Sequence, residues 1–322
     1  MNNRNYSIDI LKFICACLIV FLHTKFKWND AIMPLTRCAV PCFLIISGYL
    51  LYTEFGIGQK RLRRNIKNIF HILAWATLLF LIIKEAITIS HGEFFIPSLK
   101  QWLCFLVFNE NPFGMHLWYL GAYLYVLLIM TFVDKYKLWK PMLIATPFLI
   151  LGDLLLGKYS LLLLNCEFYF VLVRNFFFVG IPYFMIGTWI KKHRMKLLSV
   201  NKCIYLGGVI TFSITSIIEK EILLFLDKNP VREHYFSTTF LAIFLFLFVL
   251  SFKKVSPTKI SRIGATDSLY IYIFHPLFIM TIPYMIKNFL YVQYCYQVTA
   301  PFVVLLLTII FTVFLRKLRL IK

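Results

Sequence analysis

Ten stretches of this chain are so apolar and so long that a bilayer is the only solvent that suits them. They run near 8–26, 34–53, 69–89, 117–133, 140–157, 172–190, 201–219, 235–252, 267–286 and 298–316. Crossing a hydrocarbon core takes about 20 helical residues at a rise of about 1.5 Å each. Most of the ten reach that length. Composition agrees: 60% of the 322 residues are hydrophobic and only 15% are charged, against about 25% charged in soluble domains. Lipid offers the backbone no hydrogen-bond partner, so each crossing segment must satisfy its own N–H and C=O groups as a helix. The expected fold is therefore all-α: a polytopic integral membrane helical bundle of about ten transmembrane helices. One domain over 1–322, with no soluble accessory domain, is expected. The first stretch is interrupted by Asp9, Lys12 and His23 and lacks a small-x-small cleavage site, so it reads as a retained helix rather than a signal peptide. Residues 100–108 are too short to span and read as an interfacial or re-entrant element.

The net charge of +20 comes from 34 Lys and Arg against 14 Asp and Glu. On a soluble protein that excess would point to nucleic acid, but here the basic residues fall in short clusters between apolar runs. The clusters are Arg4; Lys60 to Lys67; Lys135 to Lys140; Lys191 to Lys202; Lys253, Lys254, Lys259 and Arg262; and Arg316 to Lys322. Acids such as Glu93, Glu110, Glu219 and Glu233 gather in the alternate loops. By the positive-inside rule both termini are cytoplasmic, the plasma membrane is the expected location, and membrane lipids rather than nucleic acid are the partners. The eight cysteines mostly lie inside apolar runs, and no Cys/His spacing suits zinc, so no metal site is expected. No repeat is visible, which weakens an inverted-repeat transporter.

A charge near mid-membrane costs about 2.5–3.5 kcal/mol on insertion scales, so each one asks for a reason. Asp9 and Lys12 are three apart and share a helix face. His23 follows Lys12 by 11 residues, which at about 100° each is three turns plus about 20°, so both face one way about 16 Å apart. Two readings are open. Lys12 can snorkel to the interface with Asp9 while His23 only marks a helix end. Alternatively the face is a functional constellation, with His23 the group best suited to proton transfer near neutral pH. Ser47 and Gly48 fit close helix packing, and His116 opens a segment whose Trp118 and Tyr119 fit an interfacial aromatic belt. His275 precedes Pro276, as at a helix kink. Arg64 and Lys67, three apart in the strongest basic cluster, either anchor the topology or bind a phosphorylated ligand.

Taken together, these residues resemble the acyltransferase 3 family of membrane O-acyltransferases. The resemblance rests on five motifs in one order: Asp9, Lys12 and His23; Val40 to Tyr49 with Pro41, Phe43, Ser47 and Gly48; and Arg64, Lys67 and Trp75. After these come His116-Leu117-Trp118-Tyr119-Leu120 and Ser268 to Pro276. It implies transfer of an acyl group, most often acetyl from acetyl-CoA, to a hydroxyl of a carbohydrate such as a cell-surface polysaccharide or its glycolipid precursor. Acetyl-CoA or another acyl-CoA would be a co-substrate, with no permanently bound cofactor. On this resemblance His23, with Asp9, is catalytic, while Lys12, Arg64 and Lys67 bind the donor. Ser47, His116, Trp118 and His275 are further candidates. The competing expectation is a transporter or flippase for a glycolipid or small polar solute.

Overall fold

The computed structural model describes residues 4–230, 234–252 and 255–321; Glu233, Lys253, Lys254 and Lys322 lie outside the described residues. Its helices are α1 (Tyr6–His23), α2 (Asn29–Thr36), α3 (Ala39–Leu51), α4 (Gln59–Ser90), α5 (Leu99–Phe108), α6 (Trp118–Lys135), α7 (Trp139–Asp153) and α8 (Ser160–Leu163). They continue as α9 (Phe170–Val173), α10 (Ile181–Lys192), α11 (Arg194–Leu198), α12 (Lys202–Phe225), α13 (Phe236–Leu250), α14 (Lys259–Thr266), α15 (Ser268–Ile286) and α16 (Leu290–Lys317). No strand forms among the described residues beyond one bridge between Thr53 and Gly56.

Among the described residues, eight segments are long and apolar enough to cross a membrane: 6–23, 29–51, 59–90, 115–135, 139–158, 170–192, 268–286 and 290–317. The all-α polytopic expectation therefore holds. Its other two spans correspond to α12, of 24 residues, and α13, of only 15. At about 1.5 Å per residue α13 is about 22 Å long, short of a hydrocarbon core about 30 Å thick. Residues 100–108 form most of α5, which starts at a Ser98/Gln101 capping box and buries none of its residues. A short apolar helix of 10 residues cannot cross a hydrocarbon core about 30 Å thick.

The chain divides into two compact units. The first holds residues 1–43, 195–226 and 234–322. Its core is built on Ala16, Val20, Ile271 and Val304, contributed by α1, α15 and α16. Gly264 lets α14 lie directly on α1, since a Cβ there would collide with the Asp9 carbonyl oxygen. Between α15 and α16, buried Asp267 accepts from Arg316 Nη1 at 2.5 Å. Glu219 of α12 accepts from the Ser237 N–H at 3.0 Å and thereby satisfies an N-terminal donor of α13.

The second unit holds residues 44–194 and 227–233. Here α3 and α10 cross with their backbones in contact. A Cβ on Gly48 would overlap the Phe184 carbonyl, and one on Gly187 would overlap that of Ile45. Lipid supplies no hydrophobic drive between helices, so this close approach is what holds them. Two further contacts close the turn between α3 and α4. Arg61 donates to the carbonyls of Leu51 at 2.9 Å and Leu50 at 2.8 Å, the unpaired acceptors at the end of α3. Asp134 accepts from the N–H groups of Ile57 at 2.9 Å and Gly58 at 3.2 Å.

The crossing gives a direct stability test. Gly48→Ala should cost about 1–3 kcal/mol by overpacking, lowering the unfolding temperature of the detergent-purified chain. Gly207→Ala, where an added methyl meets nothing within 4 Å, should leave that temperature level or slightly higher. Equal effects would refute the crossing as a constraint.

Candidate functional site

In the first unit, the candidates Asp9 and Lys12 lie near one end of α1 and His23 at the other. Near its start Asp9 is buried and accepts from Arg4 Nε at 2.7 Å and Lys12 Nζ at 3.2 Å. The hydrogen bond to Asp9 pushes the Arg4 pKa above its usual value. A carboxylate between two cations is a satisfied anchor, and it leaves one net positive charge on this end of the face. Asp9 precedes His23 by 14 residues, about 21 Å of helix. The partners of Asp9 are thus Arg4 and Lys12, and the carboxylate does not orient His23. The contribution of Arg4 was not legible in the helical spacing, because Arg4 precedes the Asn5 cap and lies off the helix.

At the other end, His23 closes α1 and is exposed. Asn29 donates to the carbonyls of Phe21 at 3.2 Å and Thr24 at 3.1 Å, which fixes the chain on either side of the histidine. The ring of His23 stacks on that of His275, with centroids 5.3 Å apart and planes 29° from parallel. Helical spacing explains the meeting. Ala16, Val20 and His23 recur on one face of α1, as Ile271 and His275 do on α15, so the histidines continue the apolar seam of the core.

His275 is fully buried, and the residue after it sets its tautomer. Pro276 lies inside α15 and has no N–H. The Tyr272 carbonyl, four residues earlier, therefore lacks its helical donor. His275 Nδ1 lies 2.8 Å from that carbonyl oxygen and 3.3 Å from that of Ile271. A carbonyl can only accept, so Nδ1 carries the proton, and in the neutral ring Nε2 is the basic nitrogen. The stacked pair thus contains one imidazole whose tautomer is set by backbone chemistry.

The second unit holds the other candidates. Ser47 is hydrogen-bonded to the buried hydroxyl of Tyr123. Arg64 and Lys67 are exposed on the first turns of α4, and neither side chain makes a hydrogen bond or ion pair among the described residues. Arg61, from the same basic run, is instead committed to the carbonyls ending α3. His116 lies half-buried in a 3₁₀ turn, its ring edge-on to Phe80 at 4.5 Å. Trp118 is almost fully buried, and the Arg174 guanidinium lies over its ring at 5.2 Å and over Phe170 at 4.1 Å. Glu110 pairs with Arg174 at 3.6 Å. Asn109 donates to the Trp118 carbonyl at 3.1 Å and accepts from the Phe176 N–H at 3.0 Å. Trp118 is therefore part of a packed cation–π assembly, which spacing alone did not show. All eight cysteines are free; Cys166, Cys203 and Cys295 are exposed rather than in the core. Among the described residues no cluster of His, Cys, Asp and Glu is arranged to hold a metal.

These features define a polytopic helical membrane protein with a histidine pair at one end of its first helix and paired charges at the other. The chain matches the acyltransferase domain of the acyltransferase 3 family over residues 5–315, and it belongs to that family. Two curated relatives are more distant. An amino-acid racemase of Enterococcus faecalis is 31% identical over 163 residues, 47% of this chain and 22% of the relative. A serine/alanine racemase of Enterococcus gallinarum is 29% identical over 140 residues, 40% of this chain and 19% of the relative. The match thus spans about a fifth of the length of either relative. No solved structure matches the chain.

The tautomer of His275 can be read directly. In Pro276→Ala the Tyr272 carbonyl regains a backbone donor, and the Nδ1-protonated form of His275 should lose its dominance. Solid-state ¹⁵N NMR of histidine-labelled protein, assigned by subtracting a His275→Asn spectrum, measures this. An unchanged tautomer in Pro276→Ala would refute the role given to the proline.

Proposed function

We propose that this protein is a membrane O-acyltransferase that moves an acyl group, most simply acetyl from acetyl-CoA, to a carbohydrate hydroxyl. The acceptor is a cell-surface polysaccharide or its lipid-linked precursor, and the enzyme works as a multi-pass protein of the plasma membrane. The observation that carries this reading is the stacked His23–His275 pair, at the far end of α1 from a positively charged Asp9, Lys12 and Arg4 cluster, in a chain of the acyltransferase 3 family.

The chemistry follows from that arrangement. His23, exposed at the helix end, takes the proton of the acceptor hydroxyl, whose oxygen attacks the thioester carbonyl. The new C–O bond forms as the C–S bond breaks, and the CoA thiolate leaves with a proton. His275 acts beside it as a positioning residue, since its buried ring holds that of His23 from one side. Lys12 contributes positive charge toward the donor's phosphates. Arg64 and Lys67, exposed and uncommitted among the described residues of the second unit, are the further donor-binding cations that the family resemblance implies. The racemase names of the two curated relatives describe those whole proteins and bring no acceptor to this reading.

Two variants test the assignment. His23→Ala should lower kcat by about 10²–10⁴-fold, the usual share of general base catalysis, with the protein still inserted at full length. Lys12→Ala should raise the KM for acetyl-CoA and change kcat less. Release of free CoA thiol together with ester formation on a sugar acceptor is the readout, and it separates an acyltransferase from a flippase. Undiminished turnover by His23→Ala removes the general-base role, and an unchanged donor KM removes that of Lys12.

A further inference from the structure

A cavity of about 450 Å³ opens beside the start of α1 and the start of α14, lined by Arg4, Tyr6, Lys259, Ser261, Arg262 and Thr266, among others. All of it belongs to the first unit. Three of its side chains are cations and none of the lining residues is acidic. Arg4 commits its Nε to Asp9, while its two terminal nitrogens carry four further N–H donors. Lys259 and Arg262 are exposed, and their side chains make no hydrogen bond or ion pair among the described residues.

The placement of these two residues is unusual for a helix. Lys259 and Arg262 are three apart in the opening turns of α14, with no acid in the first turn. The N-terminal end of a helix carries partial positive charge, so cations there are repelled unless an anion joins them. Thr258 and Ser261 form a capping box that orients this end. A hollow, three converging cations and the positive end of a helix all favour one kind of ligand. The volume is within the range of small-ligand pockets, about 300–1,000 Å³.

We propose that this cavity is a phosphate-binding site, with Lys259 and Arg262 as its principal ligands and Arg4 as the link to Asp9 and Lys12. The phosphate comes from one of two sources: the nucleotide end of an acyl-CoA donor, or the headgroup of an anionic phospholipid. The first source rests on the acyltransferase reading above, and the second does not. In the first case, the site places the donor's phosphates beside the Asp9–Lys12 end of the helix whose far end carries His23.

The test uses the full-length protein in nanodiscs, with Lys259→Gln/Arg262→Gln as the variant; both side chains are exposed, so the fold should persist. In phosphatidylcholine nanodiscs, adenosine 3′,5′-bisphosphate binding should weaken at least tenfold in the variant, while the weaker binding of adenosine stays unchanged. That result supports the site and assigns it to the donor. If bisphosphate binding is indifferent but enrichment of phosphatidylglycerol from mixed nanodiscs is lost, the site stands and belongs to a lipid headgroup. If neither ligand responds to the variant, the proposal is overturned. Arg64→Gln/Lys67→Gln serves as the comparison: bisphosphate binding that depends on this pair alone, with lipid enrichment also indifferent to the Lys259/Arg262 variant, overturns the pocket and leaves the acyltransferase reading intact. Bisphosphate binding that depends on Lys259 and Arg262, without acyl transfer to any sugar acceptor, supports the pocket and counts against the acyltransferase reading alone.

Discussion

Polar groups buried in this protein need partners of their own, and that single constraint shapes most of what is specific about the fold. A charge or carbonyl left alone in hydrocarbon is costly, so the sequence uses its scarce polar side chains as partners. Asp9 is held by Arg4 and Lys12, and Asp267 by Arg316. Arg61 closes the carbonyl end of α3. The same logic produces the histidine chemistry. The amide hydrogen missing at Pro276 leaves a carbonyl in need, and His275 answers with its Nδ1 proton. A rule about backbone satisfaction thereby becomes a rule about which imidazole nitrogen is basic.

The spans were readable because apolar length is a one-dimensional property. The places of all ten expected segments are helical, and α13, at 15 residues, is shorter than the span expected there. Gly48 was legible as a packing residue, but its counterpart Gly187 was not, since nothing in the sequence says that α3 meets α10. The same gap explains the histidines. Each was recognisable alone, yet their stacking depends on α1 lying beside α15. The pairing of Asp9 with Lys12 followed from helical spacing, whereas Arg4 reaches the carboxylate from outside the helix, where periodicity has no force.

The basic run at the start of α4 shows how similar residues divide their labour. Arg61 spends its planar fork on two backbone carbonyls, a task for which its geometry suits it better than a lysine. Arg64 and Lys67, one turn further, keep their charges toward solvent. Trp118 makes the converse point. Its position suggested an interfacial belt, but its ring is covered by Arg174 and serves the interior of its own unit. Residue type alone identified the interaction partners available, and the packing decided which were used.

The helix α4 itself carries a further implication. At 32 residues it is about 48 Å long, against a hydrocarbon core of about 30 Å. A rod so much longer than the slab it crosses must tilt or protrude, and the compromise depends on the thickness of the surrounding lipid. Since the exposed cations sit on the first turns of that rod, their height above the headgroups is set partly by bilayer composition. Membrane thickness is therefore a variable that this architecture can convert into the reach of its charged end, without any change in the residues themselves.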